Sequence, residues 1–154
     1  MRIRSIEKSD HSRVISLTEE LSEWFTERAR RVEIPLDLRV HRGFLAEESG
    51  EILGFLILDS YLGDARIGWI GVRPEYRRGG IGRRLVEMAE REFRATEAEY
   101  LKVETVARGD AKGSPYEETL KFYEAVGFDV EEVEKDGWDD GSDKAIYAKA
   151  LNGG

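Results

Sequence analysis

The chain contains no cysteine, which removes disulfides, thiolate metal sites and a cysteine nucleophile at once. Histidine is almost as scarce: His11 and His41 offer no clustered ligand spacing, so no metal is expected. No apolar run approaches the roughly 20 residues of a membrane span, and Met1-Arg-Ile-Arg-Ser-Ile6 reads as a strand rather than as the apolar region of a signal peptide. The expectation is a cytoplasmic protein without a membrane partner. Basic charge is in deficit, since 32 acidic against 24 basic side chains leave a net charge of −8. That balance argues against nucleic acid and favours a cationic partner. What remains is 154 residues with 40% apolar and 10% aromatic content, enough for the core of a single domain spanning 1–154.

Apolar residues alternate over Met1–Ile6, and after Ser9 the period lengthens, with Val14, Leu17, Leu21, Trp24 and Phe25 on one helical face. Arg28–Arg42 is charged and broken by Pro35, which leaves a short helix or a loop open. Strand patterns follow at Gly43–Glu47 and Glu51–Leu58, joined by a hairpin turn at Glu48-Ser-Gly50, and at Ala65–Val72 after Gly63-Asp64. Gly80–Arg94 is helical, with Ile81, Leu85, Met88 and Ala89 on one stripe. A strand at Tyr100–Val106, a loop to Ser114 and a helix at Pro115–Val126 come next. The last helix is signed by Ser114 as a cap, Glu117 three residues on, and Gly127 after its end. Strands at Asp129–Val133 and Ala145–Leu151 flank the polar loop Lys135–Lys144. The pattern predicts one mixed α/β sheet with helices on its faces.

The segment Ile67-Gly-Trp-Ile-Gly-Val-Arg-Pro-Glu-Tyr-Arg-Arg-Gly-Gly-Ile-Gly82 takes a strand through an arginine- and glycine-rich turn directly into a helix. Glycines let backbone N–H groups approach phosphate oxygens, the helix N-terminus adds partial positive charge, and Arg77, Arg78 and Arg83 supply full charges. A dinucleotide fingerprint fails at Leu85, and a P-loop fails at Arg83-Arg84.

Arg77-Arg-Gly-Gly-Ile-Gly82 resembles the R/Q-x-x-G-x-G/A signature of GNAT acetyltransferases, with Val72-x-Pro74 before it and an amphipathic helix after it. Phe122-Tyr-Glu-Ala-Val-Gly-Phe128 looks like that family's F/L-Y-x-x-x-G-F segment at the expected distance. The resemblance implies a GNAT α/β (α+β) fold, a mostly antiparallel mixed sheet of about 6–7 strands with about four helices, and acetyl transfer from acetyl-CoA to an amine by direct attack. It implies that Ile70, Gly71 and Val72 hold the pantetheine arm, and that Arg77, Arg78, Gly79, Gly80, Ile81, Gly82 and Arg83 hold the pyrophosphate. Tyr123 takes the place of the proton donor to the departing thiolate, although an aromatic beside Phe122 is also what a helix core looks like. Glu104 stands where ribosomal-protein N-terminal acetyltransferases keep a catalytic glutamate, and a mere ion pair is its other reading. Asp64 and Glu75 are weaker candidates for the base. Arg66 stands near the place where histone-type members keep a glutamate.

The asparagine that many members carry after this strand is missing from Ala107–Ser114, and Tyr116 or Ser114 is the expected substitute at the cofactor. By resemblance, the acceptor pocket lies between Trp24–His41 and Glu131–Asp143. The acidic stretch around Trp138 suits a cationic amine but also reads as a solvated loop, and Trp24, Phe25 and Trp69 read as core. The acceptor is expected to be a small-molecule amine, with a peptide or protein amine as the alternative and a non-catalytic acyl-CoA sensor as a reading of another class. Dimers are frequent in the family, so a homodimer is one option for assembly.

Overall fold

The computed structural model describes residues 1–60 and 64–151 and builds them around one seven-stranded sheet. Its strands are β1 (Arg2–Ser5), β2 (Gly43–Glu48), β3 (Glu51–Leu58), β4 (Ala65–Val72), β5 (Tyr100–Val106), β6 (Asp129–Glu134) and β7 (Lys144–Ala150). The helices are α1 (His11–Glu20), α2 (Ile34–Val40), α3 (Ile81–Arg94), α4 (Arg108–Ala111) and α5 (Tyr116–Ala125). The order across the sheet is β1-β2-β3-β4-β5-β7-β6, and every neighbouring pair is antiparallel except β4 with β5. This is the mixed α/β sheet that the sequence predicts. It has one helix more than expected, because Arg108–Ala111 closes a single turn inside the loop after β5.

Local chemistry explains most boundaries. Ser49 and Gly50 both take positive φ, 51° and 80°, the paired left-handed conformation that matches strand twist in a two-residue hairpin. The undecided stretch Arg28–Arg42 is helical: a π-type turn at Ala29–Glu33 runs into α2, with Pro35 in its first turn, where a missing N–H is tolerated. Glu117 reaches the Gly113 N–H rather than Ser114, while the Ser114 hydroxyl accepts the Tyr116 N–H, so the expected cap of α5 forms one residue out of register. Gly127 takes the positive φ expected after α5. The turn expected at Gly63 lies outside the described residues.

One correction concerns α1. Periodicity carries that helix to Phe25, but it ends at Glu20 with Leu21 as its C-cap, and Trp24 and Phe25 lie in the turn that follows. Phe25 is core and Trp24 is half-buried.

Two apolar layers hold the sheet. On one face, Ile81, Leu85, Val86, Ala89 and Phe93 of α3 and Leu120 and Tyr123 of α5 pack on Leu56, Ile67, Leu101, Val103 and Tyr147. On the other, Val14 and Leu17 of α1 and Ile34 and Leu38 of α2 pack on Leu45, Phe55 and Ile57. Each such large side chain removed from water contributes about 1.5–3 kcal/mol. The second layer reaches no further across the sheet than β4, where Trp69 packs against it. Beyond that point the same sheet face carries Lys102, Glu104, Lys144 and Ile146, placed together by register.

Candidate active site

β4 and β5 pair at only three positions, Ala65 with Leu101, Arg66 with Lys102 and Ile67 with Val103. Both strands then continue, to Val72 and Val106, without pairing each other, so a wedge opens between them. Along it the facing backbone groups of Gly68–Val72 and Glu104–Val106 have no ladder partner. Ile70, Gly71 and Val72, the sequence-predicted pantetheine residues, form one edge of the wedge and are half-buried.

From the wide end of the wedge the chain passes through a 3₁₀ turn at Pro74–Tyr76 into Arg77–Gly82 and α3. Arg78 and Gly80 take left-handed φ, 68° and 84°. Gly80 is the N-cap of α3 and carries no side-chain cap, so the first-turn N–H groups of Ile81, Gly82 and Arg83 remain available to an anion at the positive end of the helix dipole. Gly82 has a different reason to be glycine: a Cβ there would stand 2.7 Å from the Phe122 ring. The two sequence motifs therefore touch, and Gly82 is what lets α3 lie against α5.

The three arginines of the turn are not equivalent. Arg78 is exposed. Arg83 is also exposed and donates to the Ala125 carbonyl at 3.2 Å. Arg77 stacks its guanidinium 3.9 Å from the Trp24 ring centroid and donates from Nε to the Val72 carbonyl at 3.2 Å. Burial pulls Arg77 below its ordinary value. Its ion-pair partner Glu118 stands 3.8 Å away and is largely exposed. A desolvated cation this weakly compensated is a fitting partner for phosphate.

Tyr123 is buried against the rings of Phe122, Phe128 and Tyr147, and burial alone pushes its phenol well above the ordinary value. The hydroxyl thus stays protonated at neutral pH and keeps its proton to give. Glu104 ion-pairs with Arg66 and, at 3.3 Å, with Lys144. The ion-pair reading of this residue is therefore the geometry found, and neither cation was foreseen as its partner. Asp64 and Glu75 are exposed. Tyr116 donates its hydroxyl to the Trp24 carbonyl at 3.1 Å, and the Trp24 indole donates to the Pro115 carbonyl at 3.2 Å. Burial, then the charge of Asp140, raises the Tyr116 phenol. Ser114 spends its hydroxyl proton on the Ala111 carbonyl. Trp138 of the acidic loop folds back on the end of β5, donating to the Thr105 carbonyl at 3.2 Å beneath the Lys144 ammonium.

Sequence reasoning missed Asp37, whose Oδ2 accepts the Trp69 indole N–H at 2.7 Å, and it read Trp24 as core, against which it does pack, without foreseeing Arg77 over its ring. Neither pairing leaves a local signal, because the partners lie on separate elements.

The family model described as acetyltransferase (GNAT) domain matches residues 39–130, which include β4, the glycine turn and the Phe122–Phe128 segment. The chain belongs to the GNAT acetyltransferases. A GNAT-family protein from Desulfovibrio desulfuricans superposes with a TM-score of 0.82 at 25% identity, over 97% of this chain and 98% of that one. The ribosomal-protein-S18-alanine N-acetyltransferase from Escherichia coli gives 0.64 at 22% identity over 97% and 93%. An aminoglycoside 6′-N-acetyltransferase complexed with coenzyme A gives 0.72 at 17% identity over 98% and 97%. No curated protein matches the chain by sequence. Among the described residues of this GNAT acetyltransferase no helix is long and apolar enough to cross a membrane, and no group of three or more acidic or histidine side chains is arranged to hold a metal ion.

Proposed function

We propose that the protein transfers the acetyl group of acetyl-CoA to a primary amine, with a small molecule as the acceptor. The observation that carries this reading is the wedge: parallel strands that separate after three residue pairs and lead straight into an uncapped, glycine-started helix. Strand edges with spare N–H groups suit the amides of a pantetheine arm, and the turn suits a pyrophosphate. The coenzyme A complex of a structural neighbour supports the same assignment.

In this reading Ile70, Gly71 and Val72 hold the arm, and one of their N–H groups stabilises the negative charge that develops on the thioester oxygen. Arg77, Arg78, Gly79, Gly80, Ile81, Gly82 and Arg83 receive the pyrophosphate. Tyr116 lines the mouth beside Trp24. An amine that arrives as an ammonium must lose a proton before its nitrogen attacks the carbonyl carbon and the carbon–sulfur bond breaks. Glu104, fixed between Arg66 and Lys144, accepts that proton through water, and Tyr123 donates its phenolic proton to the departing thiolate.

The acidic stretch around Trp138 favours small cationic acceptors. The ribosomal-protein enzyme among the neighbours keeps a peptide α-amine as the second reading. Release of free thiol from acetyl-CoA, followed with a panel of amines and N-terminal peptides, tests the proposal. Amine-dependent release supports it, and release no faster with any acceptor than without one overturns it.

A further inference from the structure

On the α2 side of the sheet, Trp69 stands two residues beyond the last β4–β5 pair at Ile67, at the edge of the wedge. Its ring packs 6.0 Å from Phe25, and its indole N–H is fixed by Asp37 of α2. The neighbouring cations on this face already have carboxylate partners. Arg66 and Lys144 both pair with Glu104, and Lys102 pairs with Glu131. Asp37 forms no ion pair among the described residues, is half-buried, and accepts one hydrogen bond from a neutral donor through one of its two oxygens. A half-desolvated carboxylate in that position lacks the cation that ordinarily compensates it.

We infer that Asp37 determines acceptor specificity by holding the ammonium group of a protonated aliphatic amine beside Trp69, at the edge of the wedge. The inference rests on the acetyl-transfer reading and names the acceptor's chemical class. Asp37 acts as the binding partner of the charged amine, whose deprotonation remains with Glu104.

Asp37→Asn tests this, because the amide oxygen still accepts the Trp69 N–H while the charge is lost. Two acceptors of similar shape serve as probes: n-butylamine, an ammonium at pH 7, and O-propylhydroxylamine, a primary amine that is neutral there. The expected result is a rise of at least tenfold in KM for n-butylamine with kcat within about twofold, and an unchanged KM for O-propylhydroxylamine. Asp37→Glu recovers part of the n-butylamine affinity. Calorimetric titration of n-butylamine into the coenzyme A complex gives a readout that does not depend on turnover, and Asp37→Asn weakens it by the same factor. A wild type that binds n-butylamine without acetylating it defeats the transfer reading while leaving the ammonium site in place. Equal KM changes for both probes, no change for either, or unweakened calorimetric binding overturns the assignment of Asp37.

Discussion

The Arg77 guanidinium stands over Trp24, 3.9 Å from its ring centroid, while its Nε donates to the last carbonyl of β4. The stack fixes the direction of the two Nη groups, one of them 3.8 Å from the exposed Glu118 carboxylate, from an element, the turn after α1, that is remote in sequence. Arg77→Ala is expected to weaken coenzyme A binding about 30-fold, the loss of a charge-assisted contact of about 2 kcal/mol. Trp24→Leu, which keeps the charge and removes the stack, should weaken it about threefold to fivefold. Calorimetry on both variants checks the pair, and unchanged affinity in Trp24→Leu would show that the stack does not orient the arginine.

Gly82 couples the two motifs through packing. Gly82→Ala sets a methyl 2.7 Å from the Phe122 ring, so α3 and α5 must part or the ring must turn. The expected cost is about 1–3 kcal/mol, a fall in Tm of several degrees. Adding Phe122→Leu should return part of it, whereas a double variant no more stable than Gly82→Ala alone argues against the contact.

Acid stability should depend on Asp10. This buried carboxylate accepts hydrogen bonds from Arg4 at 2.7 and 2.9 Å, from Arg13 at 3.0 Å and from the Glu7 N–H at 2.8 Å. Chiefly through Arg4, they hold it well below the usual carboxylate range. A group whose folded pKa is depressed stabilises the fold above its unfolded pKa of about 3.9 and loses that contribution as pH falls below it. Asp10→Asn should therefore cost about 2–3 kcal/mol at pH 7, with the gap from wild type narrowing as urea melts are run from pH 5 down to pH 3. A gap independent of pH would refute the linkage.

Glu104 separates structure from chemistry. Glu104→Gln removes an ion pair on each side, from Arg66 and from Lys144, at partly exposed positions where such pairs contribute little. Tm should move by only a few degrees. If Glu104 takes the amine proton, kcat falls about 100-fold and the loss is greatest at low pH, where the amine is most fully protonated. A variant with normal kcat and lowered Tm would reduce Glu104 to its ion pairs.

Strand and helix identities were legible because they are written locally: apolar runs in β2 to β4, alternation in β5, the apolar stripe of α3, glycine after α5. The phosphate turn was legible for the same reason, since Arg77–Gly82 is contiguous. What decides the shape of the site was not. No periodicity tells β4 and β5 to part after Ile67, because their pairing joins two strands that are distant in sequence. The Trp69–Asp37 and Arg77–Trp24 contacts join elements whose approach is fixed only by the finished sheet. Trp24 was half-legible for a related reason: its spacing continued the apolar face of α1, and it does pack against that layer, but the helix ends at Glu20 and the ring also carries Arg77.

The account stands on the wedge and its turn as an acetyl-CoA site, and parallel calorimetric titrations with acetyl-CoA, coenzyme A and ADP test that most directly. One-to-one binding of acetyl-CoA in the micromolar range, about −8 kcal/mol, with ADP much weaker, is the predicted result, because the strand edge of Ile70–Val72 recognises the arm that ADP lacks. Acetyl-CoA that binds no better than ADP, or not at all, would contradict the account.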